Sequence, residues 1–151
     1  MELFSAVNTL SAEETEAVGR SLATAILSDP SLPRFVALYG DLGVGKTAFV
    51  RGFTSAVAPS ARVKSPTFAL VNEYRGQGIS VYHFDMYRIE DEDELYSIGF
   101  YDYLDGKGIC LTEWSENIED SLPEKHICVK IIKNSTENAD SREIVISKVG
   151  I

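Results

Sequence analysis

One stretch limits the folds open to this chain more than any other. Residues 40–47 read GDLGVGKT, a G-x-x-x-x-G-K-T pattern. With glycine at about 7% of average composition, a random chain of this length matches it roughly once in two hundred trials. The flanks narrow the reading further. The apolar run FVALY at 35–39 reads as a buried strand, and TAFVRGF at 47–53 starts a helix with apolar spacing at Phe49, Val50 and Phe53. A buried strand that feeds a glycine-rich turn and then a helix requires a sheet with helices on its faces.

The residue types in the turn have a physical purpose. Gly40, Gly43 and Gly45 permit positive-φ backbone and close approach of a ligand. The exposed N–H groups then form an anion nest, and the helix that begins near Lys46 adds its unpaired N–H groups and positive dipole end. Lys46 is expected to reach the β- and γ-phosphates, and the Thr47 hydroxyl to hold Mg2+. Asp41, Leu42, Gly43, Val44, Gly45, Lys46 and Thr47 are therefore the candidate nucleotide-binding residues.

At 151 residues the chain is expected to be a single domain over 1–151. Its net charge of −9 makes it a poor binder of nucleic acid by itself, because phosphate attraction dominates that affinity. A nucleotide held by one cationic loop and Mg2+ is compatible with that charge. Cys110 and Cys128 each sit in an apolar run and read as buried, reduced thiols. There is no basic region followed by an apolar core at the N-terminus, and no run of membrane-spanning length. A cytoplasmic protein is expected.

Ser11 and Glu14 fit a helix capping box, with apolar residues at helical spacing over 15–27. A strand is expected at 68–74, a turn at 75–78, and a return strand at 79–85. An acidic helix is expected over 89–98, a short buried strand at 109–114, a helix at 117–122, and late strands at 126–132 and 142–149. Helices and strands alternate early and strands pair late. The expected fold is α/β, a P-loop NTPase-type mixed sheet with a parallel core, antiparallel edge strands and flanking helices.

Hydrolysis needs a carboxylate to hold Mg2+ or to orient water. Glu113 ends an apolar run, where open α/β sheets place ligand groups, and is the candidate Mg2+ partner beside Thr47. Asp85 also ends a strand and is a candidate to orient water. Thr67, in Ser65-Pro66-Thr67, has the setting of a switch threonine. Glu113, Asp85 and Thr67 are thus the candidate catalytic residues. His83 and Trp114 lie close by in sequence. Arg88 is either an arginine finger or an ion-pair partner of Asp85 or Glu92. The N-K-x-D element that reads guanine is absent, so adenine follows by elimination. Two alternatives remain beside an ATPase: a nucleotide-sensing regulatory module and a small-molecule kinase, although the chain has neither an arginine-rich lid nor an acceptor pocket in its pattern.

Several segments taken together resemble the TsaE (YjeE) family of bacterial ATPases. They are GDLGVGKT at 40–47, VKSPT at 63–67, VYHFDMYR at 81–88, DEL at 93–95 with Gly99, and ICLTEW at 109–114. They occur in the family's order and span about residues 10–125. The resemblance implies an ATPase that works with the TsaD and TsaB proteins in forming threonylcarbamoyladenosine at position 37 of tRNAs reading codons that start with A. It implies ATP and Mg2+ as ligands, tRNA held by the partners rather than by this chain, and a role in resetting that machine between turnovers. Carried over by position, Lys46 and Thr47 bind phosphate and metal, Glu113 is the second metal ligand, Asp85 and Thr67 are needed for activity, and Trp114 lies near the site. The stretch Ser11-Ala12 touches the nucleotide and Arg142 lies near the base. Met86 stands where the family usually has Leu, and residues 90–93 are more acidic than is usual. Slow hydrolysis by the isolated chain is expected, since no arginine finger or water-polarising glutamine stands at a switch position. A group supplied in trans is worth roughly 10³–10⁵ in rate for such enzymes.

Overall fold

The computed structural model describes residues 3–41, 44–64, 70–133 and 138–151. Its centre is one seven-stranded mixed sheet with the order β1-β7-β6-β2-β5-β4-β3. The strands are β1 (Ala6–Thr9), β2 (Phe35–Tyr39), β3 (Val71–Arg75), β4 (Ser80–Asp85), β5 (Gly108–Glu113), β6 (His126–Lys133) and β7 (Arg142–Val149). β2 runs parallel to both β5 and β6, and β4 parallel to β5. The pairs β3–β4, β6–β7 and β1–β7 are antiparallel. The parallel core is therefore four strands wide, with antiparallel strands at both edges.

Alternation along the strands divides the core into two layers. Val36 and Leu38 of β2, Ile109 and Leu111 of β5, and Val81 of β4 face helices α1 (Ala12–Ser28) and α2 (Lys46–Val57). Phe35, Ala37, Cys110 and Phe84 face the opposite layer, built from α3 (Glu92–Ser97), α4 (Phe100–Leu104) and Ile118. The period of two sends Glu113 and His83 to the α2 side, because they share faces with Leu111 and Val81.

Helix α1 starts on a capping box. The Ser11 Oγ accepts the Glu14 N–H at 3.1 Å, and Glu14 reaches back to the Leu10 N–H at 3.1 Å. α1 crosses α2 at very close range through Gly19 and Gly52. A Cβ on Gly52 would lie 1.9 Å from the Glu16 carbonyl oxygen. Outside the crossing, Arg51 pairs with Glu16 at 2.8 Å.

The acidic segment differs from expectation. Only Glu92–Ser97 is helical, capped by Asp91, whose carboxylate accepts the Glu94 N–H at 3.0 Å. Gly99, at φ 75°, breaks the chain before α4, so the charged run supports one short helix rather than one across 89–98. The helix expected at 117–122 is a 3-10 segment, Ser115–Ser121, kinked at Ile118. The strand expected at 68–74 is found as β3, Val71–Arg75; residues 68 and 69 of that expectation lie outside the described residues. Cys110 and Cys128 are free and buried, and burial pushes the Cys110 thiol up to about 12. No helix among the described residues is long and apolar enough to cross a membrane.

Candidate functional site

The loop after β2 opens at the carboxyl ends of the parallel strands, where α/β sheets gather ligand groups. Gly40 takes φ 152°, and a Cβ there would lie 2.7 Å from Val44 Cγ1 and 2.8 Å from the Ile131 carbonyl. Only glycine fits. The Val44 N–H closes a turn on the Asp41 carbonyl at 3.2 Å, and Gly45, in left-handed backbone, caps α2. Leu42 and Gly43 lie outside the described residues.

Lys46 opens α2, and its side chain folds inward. It is only 5% exposed, and among the described residues its Nζ has no hydrogen-bond partner. The ammonium rests 4.5 Å from the centroid of the Trp114 ring. That contact offsets only part of its lost hydration, since a cation–π contact contributes about 2 kcal/mol when desolvated and several kcal/mol are lost on burying an ion. An ammonium held this way, at the start of a helix and beside a glycine cradle, suits an anion. Thr47 follows, half-buried.

Glu113 closes β5 and is 8% exposed. Its partner in register on β4 is Asp85, so two carboxylates stand side by side at strand ends. Glu113 Oε2 is hydrogen-bonded to His83 Nε2, and the imidazole is fully buried. Asp85 Oδ1 accepts the Tyr87 N–H at 3.0 Å, a turn contact rather than a helix cap. Trp114 follows Glu113 at φ 57°, alone in positive φ among the described non-glycine residues. A bulky residue in that region costs on the order of 1–3 kcal/mol and persists where surrounding contacts hold it. Here the contacts are Lys46 on one side and the Tyr87 ring, 4.9 Å away, on the other.

The structure thus brings together Lys46, Trp114, Glu113, Asp85 and His83. Thr67, with Ser65 and Pro66, lies outside the described residues. Arg88 is exposed, and among the described residues no ion pair joins it to Asp85 or Glu92. Ser11 spends its hydroxyl on capping α1, and Ala12 is the first residue of that helix. Just before them, Thr9 pairs with Arg142, and Arg142 reaches the loop itself.

The resemblance puts Arg142 near the base, but its tie to the loop was not evident in the sequence. Arg142 Nε donates to the Val44 carbonyl at 2.6 Å, while its Nη1 donates to the Ala139 and Ser141 carbonyls at 2.6 and 2.9 Å. The guanidinium ties the loop to β7, ninety-eight residues away in the chain. Beside it opens a cavity of about 530 Å³, lined by Tyr39, Gly40, Val44, Lys130, Lys133 and Arg142. Burial pushes the Tyr39 phenol up to about 12.

Comparison with known proteins agrees with this geometry. The family model for the threonylcarbamoyl adenosine biosynthesis protein TsaE matches residues 9–144, well beyond the segments that carry the sequence pattern. The Bacillus subtilis tRNA threonylcarbamoyladenosine biosynthesis protein TsaE is 39% identical over 142 residues, 94% of this chain and 84% of that protein. The Haemophilus influenzae protein of the same name is 48% identical over 96 residues, 64% of this chain and 61% of that protein. A crystal structure of Bacillus subtilis YdiB superposes with a TM-score of 0.72 at 31% identity, covering 97% of this chain and 85% of that one. With its mixed sheet and a family match over most of its length, this chain belongs to the TsaE family of tRNA threonylcarbamoyladenosine biosynthesis proteins.

Proposed function

We propose that the chain is a cytoplasmic ATPase whose turnover of Mg-ATP serves the TsaD and TsaB proteins during threonylcarbamoyladenosine formation at position 37 of tRNA. The observation that carries this is the buried Lys46 ammonium, without a hydrogen-bond partner among the described residues, at the mouth of a glycine cradle. Phosphate oxygens would supply the missing acceptors, and the backbone N–H groups of Asp41, Leu42, Gly43 and Gly45 would complete the nest. The cavity flanked by Tyr39 and Arg142 has room for the base and ribose, and Ser11 and Ala12 would approach the nucleotide from the start of α1.

The residues also suit a divalent cation. Among the described residues no three His, Cys, Asp or Glu side chains cluster around a common point. Mg2+ is commonly held by one or two protein ligands together with phosphate oxygens and water, which matches Thr47 and Glu113 as the pair. When bound, Mg2+ would neutralise the charge that develops on the transferring phosphoryl group. Glu113 is held in place for this by His83, and its neighbour Asp85 would orient the attacking water. Thr67 would sense the γ-phosphate. Turnover by the isolated chain would be slow, and the TsaD–TsaB pair would accelerate it.

Glu113→Gln tests the assignment. Nucleotide binding is expected to survive within about tenfold, while hydrolysis falls about 100-fold, the scale for one electrostatic group at a transferring centre. Equal hydrolysis by the variant would overturn the role of Glu113. Lost hydrolysis with tRNA modification intact would instead favour a nucleotide-sensing module.

A further inference from the structure

Behind Glu113 runs a chain of hydrogen bonds that phosphate binding alone does not require. His83 Nε2 meets Glu113, and Nδ1 lies 3.2 Å from the Tyr74 hydroxyl. That hydroxyl donates to the Lys64 carbonyl at 2.9 Å and accepts the Lys64 N–H at 3.1 Å. Asn72 Nδ2 donates to the same carbonyl at 3.0 Å. Strand register makes the chain possible. Asn72 pairs with His83 across β3 and β4, and Asp85 pairs with Glu113 across β4 and β5. Lys64 in turn leads directly into Ser65-Pro66-Thr67.

Counting protons gives the chain two arrangements. An ionised Glu113 only accepts, so the His83 Nε2–H donates to it and, in the neutral ring, Nδ1 is an acceptor. The single Tyr74 hydroxyl proton then faces two acceptors, His83 Nδ1 and the Lys64 carbonyl. If it turns to the histidine, Asn72 still satisfies that carbonyl. The two arrangements differ by one rotated hydroxyl, and neither leaves Lys64 bare. Coupling between sites needs such a two-state element that both ends bias.

We propose that His83 and Tyr74 are positioning residues. They aim the Glu113 carboxylate and tie its state to the backbone at Lys64, so that metal-nucleotide occupancy is felt where the Ser65-Pro66-Thr67 segment begins. This rests on Glu113 being a Mg2+ ligand, as proposed above. Metal-ligand partners of this kind typically set affinity by about 10–100-fold.

Trp114, the only tryptophan, supplies an internal fluorescence probe beside Lys46. The experiment titrates ADP with and without Mg2+ by that fluorescence and follows hydrogen exchange at the Lys64 amide. In the unaltered protein Mg2+ is expected to tighten ADP binding, and Mg-ADP to change Lys64 exchange about threefold or more. His83→Phe should lose about tenfold or more of the Mg2+-dependent gain, keep Mg-free ADP affinity, and abolish the exchange response. His83→Gln, whose amide can still donate to Glu113, should recover part of the gain. Tyr74→Phe keeps the ring and removes the hydroxyl. It should keep Mg-dependent binding within about threefold while Lys64 stops responding. A Lys64 response in Tyr74→Phe equal to that of the unaltered protein overturns the inference, as does an unchanged Mg2+ gain in His83→Phe. Failure of the unaltered protein to bind ADP would instead remove the nucleotide assignment, and the coupling with it.

Discussion

Lys46 is where stability and function oppose each other. Its ammonium is buried without a hydrogen-bond partner among the described residues, and the Trp114 face offsets only part of the lost hydration. Replacing it with an apolar side chain of similar length should therefore stabilise the nucleotide-free fold. Lys46→Met is expected to gain on the order of 1 kcal/mol, a rise of about 2–4 °C in Tm for a chain of this size. The same change should weaken ADP binding about 100-fold or more, because a phosphate left without its buried cation loses several kcal/mol. Scanning calorimetry and a fluorescence titration check the two halves. A variant that melts lower yet binds ADP normally would mean that Lys46 is a structural residue. Trp114 follows the same logic, since its left-handed backbone is strain held in place beside Lys46 and the candidate site.

Among the elements, the α1–α2 crossing sets where the loop can sit, because α2 begins at Lys46. Gly52→Ala gains helix propensity of about 1 kcal/mol. It also drives a methyl to 1.9 Å from the Glu16 backbone oxygen, which cannot yield as a flexible side chain could. Overpacking should win, with a net loss of about 2–3 kcal/mol read as a lower urea midpoint at unchanged m-value. A neutral or stabilised variant would mean that the helices slide apart without strain. How far such elements were legible in the sequence follows from the range of the interactions that form them. The strand before residues 40–47, helix α2 and strand β7 rest on local periodicity and punctuation, and they were legible. The acidic segment was not, because the Asp91 cap and Gly99 at positive φ confine it to one short helix, Glu92–Ser97. At the site, Lys46, Glu113, Asp85 and His83 could be picked from a motif and from strand ends. The Tyr74–Lys64 tie and the Arg142 clamp depend on register among strands far apart in sequence, and no local pattern announces either.

At the scale of the whole molecule, the net charge of −9 and the basic residues around the loop divide the surface into two kinds. Lys130, Lys133 and Arg142 line the cavity beside the loop, while residues 90–93 are exposed and acidic. Such a surface favours a nucleotide locally and opposes the long phosphate backbone of tRNA, which fits a protein that acts through protein partners. The most direct test is ATP hydrolysis by the purified chain, with and without the TsaD–TsaB pair, alongside Lys46→Ala. The account predicts slow hydrolysis alone, acceleration of at least about 10³-fold by the pair, as an in-trans group can provide, and none with Lys46→Ala. A rate indifferent to the pair, or one that survives Lys46→Ala, would contradict it.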